Sequence, residues 1–249
     1  MATKCELPEK VNEELLRKLQ EEIEVINSKE DVVSDEETNE SVECACSSQE
    51  PKEISLKIVC VGGYTGGVGT KGVFIDDYLH VWPPVMTYRA PLIGVKFYVK
   101  ILRWQKSIQH KPLSIKLQIW EIAEQERFSK MVNVYFKDSH GALVFWGARR
   151  RTSLEEAQRW REKVMDTCPS IPCVLVTDNI AKEPMQWIGP GKIFESNLAL
   201  EQFCKNHGFV DHFEIKSRDW ETGEKSVFGQ AVNCLLDEIL KNQPCELAH

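Results

Sequence analysis

After Ile54 the apolar residues of this chain come in short runs separated by stretches of helical periodicity, and that alternation leaves few folds open. Short β-branched and aromatic runs read as strands, and strands alternating with helices read as a parallel sheet covered on both faces. The pattern predicts strands at Leu56–Gly62, Lys96–Trp104, Ser114–Trp120, Ala142–Trp146, Cys173–Thr177 and Phe213–Ile215. Helices fit between them at Gly72–Leu79, Gln125–Lys137, Ser153–Thr167, Phe194–His207 and Glu224–Asn242. The second and third strands are joined by QKSIQHKPL, a polar, proline-containing turn that makes an antiparallel hairpin at the edge of an otherwise parallel sheet. The expected class is α/β, with six strands and five helices.

The sequence before Ile54 has a different character. From Pro8 to Lys29 the residues Val11, Leu15, Leu16, Leu19, Ile23 and Ile26 recur at the spacing of one helical face, and Pro8 suits the first turn. Residues 1–27 are read as an amphipathic helix that either pairs with a partner, packs on the domain or stays solvated. Residues 28–53 are polar, acidic and free of aromatics, so they cannot bury enough surface to order themselves and read as a linker. The first 53 residues hold 16 acidic and 6 basic side chains, a balance of −10 within a total of −7, and the rest is nearly neutral. No concentrated basic stripe with interleaved aromatics is present, so nucleic acid is not an expected partner. The domain proper is expected over residues 54–243, followed by a short tail, 244–249.

Nine cysteines, an odd number, form no CxxC pair, and Cys44 and Cys46 read as an idle CxC; no metal site is assigned. No run of about 20 apolar residues is available to span a bilayer, and the N-terminus lacks the apolar core of a signal peptide. A cytoplasmic protein with reduced thiols is expected.

The first strand runs into Gly62-Gly63-Tyr64-Thr65-Gly66-Gly67-Val68-Gly69-Thr70-Lys71-Gly72, with a helix after it. Strand, glycine loop and helix N-terminus together make the setting in which backbone N–H groups cradle phosphates. In the form GxxxxGK[ST], the lysine reaches the β and γ oxygens and a hydroxyl holds Mg²⁺. Lys71 is present, but Thr70 stands in place of the last glycine and Gly72 in place of the hydroxyl. Two readings stay open: a loop that still grips phosphate, and one that keeps the turn without the grip.

Leu117-Gln118-Ile119-Trp120-Glu121-Ile122-Ala123-Glu124-Gln125-Glu126-Arg127-Phe128 resembles the WDxAGQERF signature of the Rab small GTPases. So do Gly94-Val95-Lys96-Phe97, against the family pattern IGVDF, Val134-Tyr135-Phe136-Lys137-Asp138 and Gln202-Phe203-Cys204-Lys205-Asn206-His207-Gly208-Phe209. The resemblance covers the whole domain and is strongest to the Rab branch that serves lysosome-related organelles. It implies the Ras-like P-loop NTPase fold.

The resemblance carries chemistry only where residues match. Gln125 stands at the position of the glutamine that orients the attacking water. Glu121 replaces the aspartate that acts on Mg²⁺ through water, and Mg²⁺ demands tight geometry. Glu124 replaces the glycine whose N–H meets the γ-phosphate, Pro91-Leu92 the threonine of the first switch, Ala181 the aspartate that reads guanine, and Lys216-Ser217-Arg218 the SAK motif. Each lost charge-assisted contact should weaken binding by decades. Gly66, Gly69, Thr70, Lys71 and Glu121 are therefore expected as a vestigial nucleotide site, with no cofactor. GTP or GDP with Mg²⁺ is the expectation only if the domain is still active, with Lys71 and Gln125 acting and Thr70 and Glu121 on the metal.

Phe97, Trp120 and Tyr135 match the three aromatics through which Rab proteins present their switch surface to effectors, although the same residues also suit sheet-face packing. Protein effectors or regulators at the switch and interswitch surface are the expected partners. Arg149-Arg150-Arg151 reads as a solvated helix entry. Cys245 forms no CaaX box, so no lipidation is expected, and any attachment to endolysosomal or vesicle membranes is expected to be peripheral and through partners. The leading expectation is a Rab-like pseudo-GTPase that works as a binding module; a divergent active GTPase and an internally regulatory N-terminal helix are the alternatives.

Overall fold

The computed structural model of the protein describes residues 53–63, 70–80, 92–105, 112–147, 151–178, 197–216 and 223–241. The expected N-terminal helix, all of the acidic linker but Glu53, and the C-terminal tail lie outside the described residues. The chain runs β1 (Glu53–Gly62), α1 (Thr70–Tyr78), β2 (Val95–Trp104), β3 (Leu113–Ile122), a 3₁₀ turn (Glu124–Phe128), α2 (Val132–Phe136), β4 (Gly141–Gly147) and α3 (Arg151–Thr167). Then follow β5 (Cys173–Asp178), α4 (Asn197–Asn206), β6 (His212–Ile215), a second 3₁₀ turn (Gly223–Lys225) and α5 (Val227–Lys241).

One six-stranded sheet results, in the order β2-β3-β1-β4-β5-β6. β2 and β3 are antiparallel, from Val95 opposite Ile122 to Trp104 opposite Leu113, and every other pairing is parallel. This is the Ras-like α/β arrangement. The central strands read as almost continuous apolar runs, GALVFWG in β4 and CVLVTD in β5, because both of their faces are covered. On one face, α1 and α5 bury Phe74, Ile75, Tyr78, Phe228, Leu235 and Ile239 against Leu56, Ile58, Leu143 and Phe145. The Phe145 ring lies 6.4 Å from Phe74 and 6.1 Å from Phe228, distances at which aromatic pairs add to simple burial. Over the other face, α3 buries Leu154, Ala157, Trp160 and Val164, residues three and four apart on one stripe.

Two of the expected helices differ for a local reason. The helix expected over Gln125–Lys137 is broken into the first 3₁₀ turn and α2, because Ser129 is extended (φ −87°, ψ 140°) and its Oγ accepts the Met131 N–H at 3.0 Å. A serine that satisfies backbone locally competes with the helix, and Val132 and Val134 add little propensity. α5 starts at Val227 instead of Glu224: Ser226 Oγ accepts the Gly229 N–H at 3.0 Å and caps the helix there. α4 is described from Asn197, and its expected start at Phe194 lies outside the described residues.

Gly62 closes β1 in a left-handed conformation, φ 80°, and a Cβ there would stand 2.4 Å from the Phe145 carbonyl oxygen. Backbone cannot move aside as a side chain can. Gly62→Ala should cost about 1 to 3 kcal/mol, which lowers the thermal midpoint by about 2 to 4 °C per kcal/mol in a domain of this size. Scanning calorimetry reads this directly, and an unchanged midpoint would mean that the end of β1 relaxes freely.

Candidate functional site

In a sheet whose order reverses around one strand, the crevice outside the carboxyl ends is where ligands gather. β1 is that strand, with β3 on one side and β4 on the other. Its end places Cys60 beside Glu121 and Gly62 beside Phe145, and α1 starts across the glycine loop. Gly66 and Gly69 lie outside the described residues, as does the Thr70 side chain. Lys71 is described fully.

The Lys71 ammonium is 6% exposed and donates to two backbone carbonyls, Gly62 O at 3.3 Å and Ile122 O at 2.6 Å. These are the last residues of β1 and β3, so one side chain from α1 ties the two strand ends together. Burial lowers the lysine pKa, while Glu121, Cys60 and Glu124 pull it back up, Glu121 most strongly. The same burial raises the Cys60 thiol, so it is no nucleophile.

Glu121 is also buried, and its Oε2 accepts the Tyr98 hydroxyl at 3.0 Å from the neighbouring strand β2. Tyr98 escaped the sequence reading. The signal was there: an antiparallel hairpin puts alternate residues on one face, and the register sets Tyr98 diagonal to Glu121. Gln125 is exposed on the 3₁₀ turn and its Nε2 donates to Leu92 O at 3.4 Å, which joins the two switch segments. Glu124 pairs with Arg127 at 3.0 Å, and Arg127 with Glu156 on α3 at 3.0 Å. At the base-reading end Asp178 is buried, whereas Ala181, Ser217 and Arg218 lie outside the described residues.

The three aromatics divide. Phe97 and Trp120 face each other across β2 and β3, with centroids 5.9 Å apart. Phe97 is half-buried, but Trp120 is only 8% exposed and the Lys57 ammonium sits 3.9 Å from its ring centroid. Lys57 also donates to Lys137 O at 2.8 Å, and burial lowers its pKa to about 8 against the pull of Asp138. Tyr135 is buried on α2, where burial and then Glu126 raise its phenol. The apolar side chains that do reach solvent nearby are Ile93, 79% exposed, and Phe128, 81% exposed. In the sequence Phe128 stood out only as the end of the family-like stretch, and neither residue was expected at the partner surface.

Among the described residues no group of three or more His, Cys, Asp or Glu could hold a metal ion, and no helix is long and apolar enough to cross a membrane.

The Ras family sequence profile matches residues 57–232. The chain is similar to Ras-related protein Rab-32 of Homo sapiens, 30% identical over 203 residues, which covers 80% of each chain. It is similar to Rab-32 of Mus musculus, 29% identical over 204 residues, 80% of this chain and 82% of that one. Rab-7L1 of Rattus norvegicus matches at 26% over 155 residues, 60% of this chain and 67% of its own. The matched span holds the whole sheet from the Lys57 strand to α5, together with the glycine loop, the switch segments and the WDxAGQERF-like stretch. The chain therefore belongs to the Ras family of small GTPases and, within it, to the Rab family.

Proposed function

We propose that this chain is a Rab-type pseudo-GTPase, a protein-binding module whose switch surface is set by its own side chains and not by a nucleotide. The observation that carries the reading is Lys71: the side chain that would meet β- and γ-phosphates is committed to Gly62 O and Ile122 O inside the fold. The residues around it fit Mg²⁺ and a triphosphate poorly. Magnesium prefers near-ideal octahedral oxygen ligands, and here Gly72 and Leu92 offer no hydroxyl while the Glu121 carboxylate is engaged by Tyr98. Glu124 adds a negative charge where a triphosphate would lie.

The binding surface we assign takes the exposed Ile93 and Phe128 with half-buried Phe97; the Gln125 to Leu92 link joins the segments of the first two, and the Arg127 guanidinium lies 4.6 Å over the Phe128 ring. Exposed aromatic and aliphatic anchors with polar rims are the usual currency of protein recognition. The partners proposed are effectors or regulators of vesicle or endolysosomal trafficking, and membrane association follows through them.

A second reading rests on Gln125, which is exposed and retained at the water-orienting position. It is a divergent GTPase in which Lys71 leaves its carbonyls when nucleotide arrives, with Thr70 and Glu121 on Mg²⁺. One experiment separates the two. The full chain, purified and denatured, should release no guanine nucleotide on mass spectrometry, and titration calorimetry with GTP or GDP and Mg²⁺ should give no binding. Copurified GDP, or affinity in the micromolar range or tighter, sinks the pseudo-GTPase.

The lysine predicts a further difference. Lys71→Met keeps an unbranched side chain one atom shorter but leaves two buried carbonyls without their donor, a loss of about 1 to 3 kcal/mol. Its thermal midpoint should fall, and about 1 mM GTP with Mg²⁺ should move neither the variant nor the wild type, since ligand at 100 times Kd would add about 2.7 kcal/mol. An unchanged midpoint in the variant counts against Lys71 as an internal tie, and a wild type stabilised by GTP counts against the whole reading.

A further inference from the structure

A half-buried ammonium on β1 is held by fewer groups than it can use. Lys57 lies two residues before Val59, which pairs with Trp120, which in turn pairs with Phe97, so the three side chains share one face of the sheet. An ammonium carries three N–H donors. Among the described residues the Lys57 Nζ makes one hydrogen bond, to Lys137 O at 2.8 Å, and no ion pair. Its other contact is the face of Trp120, 3.9 Å to the ring centroid.

The groups around it do little to hold its charge. Burial lowers its pKa to about 8, against the pull of Asp138, which follows α2, and of Cys168, which follows α3. His140 accepts the Lys57 backbone N–H on Nδ1 at 3.1 Å, and burial lowers its own pKa, so it adds no positive charge at neutral pH. Other lysines are placed differently. Lys71 is shut inside the fold, and Lys100 of β2 turns inward to Tyr78 O at 3.2 Å, where burial lowers it against the pull of Glu224. Lys96, Lys130 and Lys205 are exposed.

The neutral amine, not the ammonium, is a nucleophile. At pH 7 roughly a tenth of amines with a pKa near 8 are neutral, against about one in 2,500 of ordinary lysines; lower basicity takes back part of that advantage. We propose that Lys57 is a modification site: its ε-amine accepts acyl groups from thioesters, and acylation takes the cation off the face of Trp120. The Nζ lone pair attacks the thioester carbonyl and the N–C bond forms. The C–S bond breaks, and its electron pair leaves with the thiolate, which takes up the proton that the nitrogen loses. The resulting amide keeps one N–H for Lys137 O but has no charge, so the cation–π contact is lost. The ring released is the one whose centroid stands 5.9 Å from that of Phe97. The site does not depend on whether the glycine loop holds nucleotide.

The test incubates the full chain with the acetyl thioester of N-acetylcysteamine over a range of pH and maps acetylated lysines by mass spectrometry after chymotryptic digestion. At pH 7 Lys57 should react about tenfold faster than Lys96, Lys130 or Lys205. Its rate should level off above about 8 while theirs goes on rising. Asp138→Asn removes a negative charge and suits the left-handed backbone at that position, φ 59°, so the levelling point should move to lower pH. The Trp120 indole N–H resonance, assigned with Trp120→Phe, should shift on acetylation and shift the same way in Lys57→Gln. Labelling of Lys57 no faster than of the exposed lysines, a rate that climbs with theirs, a levelling point unmoved by Asp138→Asn, or a Trp120 resonance indifferent to acetylation would each overturn the proposal.

Discussion

One ammonium group organises the top of this sheet. Lys71 leaves the first turn of α1 and ends between the last carbonyls of β1 and β3, a place where a cation is costly unless oxygen atoms surround it. Two backbone oxygens and the nearby Glu121 supply that environment. The lysine therefore ties α1 to the ends of both strands, which their parallel ladder already holds side by side. Because the burial that makes the tie also lowers the lysine pKa, its strength depends on the Glu121 charge next to it.

That dependence extends the network outward. Glu121 is held by Tyr98 on β2, so the sequence of polar contacts runs α1, β3, β2 and reaches the edge strand. The switch segments are joined separately, by the amide of Gln125 on the carbonyl of Leu92, and the 3₁₀ turn is pinned to α3 through Arg127 and Glu156. A chain built this way has side-chain links at several of the points where a Rab protein uses phosphate and metal. Trp120, buried beneath the Lys57 ammonium, belongs to the same economy: an anchor for partners in the family is here largely a packed side chain. Near it, Ile93 and Phe128 are the large apolar side chains that stand open to solvent.

The fold was legible because its signals are local and repeated. Apolar runs such as IVCVG and ALVFW lie in strands covered on both faces, and no other element hides so many consecutive apolar residues in so short a length. The hairpin turn between β2 and β3 declared the one antiparallel pairing. The helix expected at Gln125–Lys137 failed for an equally local reason, since the Ser129 hydroxyl offered the Met131 N–H an alternative to the helix. The candidate site was half legible. Glycines, Lys71 and the family stretch at Trp120 to Phe128 identified where it is, and Gly72 and Glu124 marked where the sequence departs from the family pattern. Tyr98 was missed because its partner lies 23 residues away, and the hairpin alone, without its exact register, does not single out the pair.

The sequence by itself therefore determined the family and the order of strands and helices along the chain, both of which are carried by residue types at fixed spacings. Only the tertiary structure decided what the remaining polar groups do. Whether Lys71 faces a ligand or its own backbone, whether Trp120 is offered or covered, and which cations of β2 point outward are set by distances between elements far apart in the chain. Hydrogen bonds and ring contacts hold only within a few ångströms, and spacing along a sequence cannot report separations across a sheet.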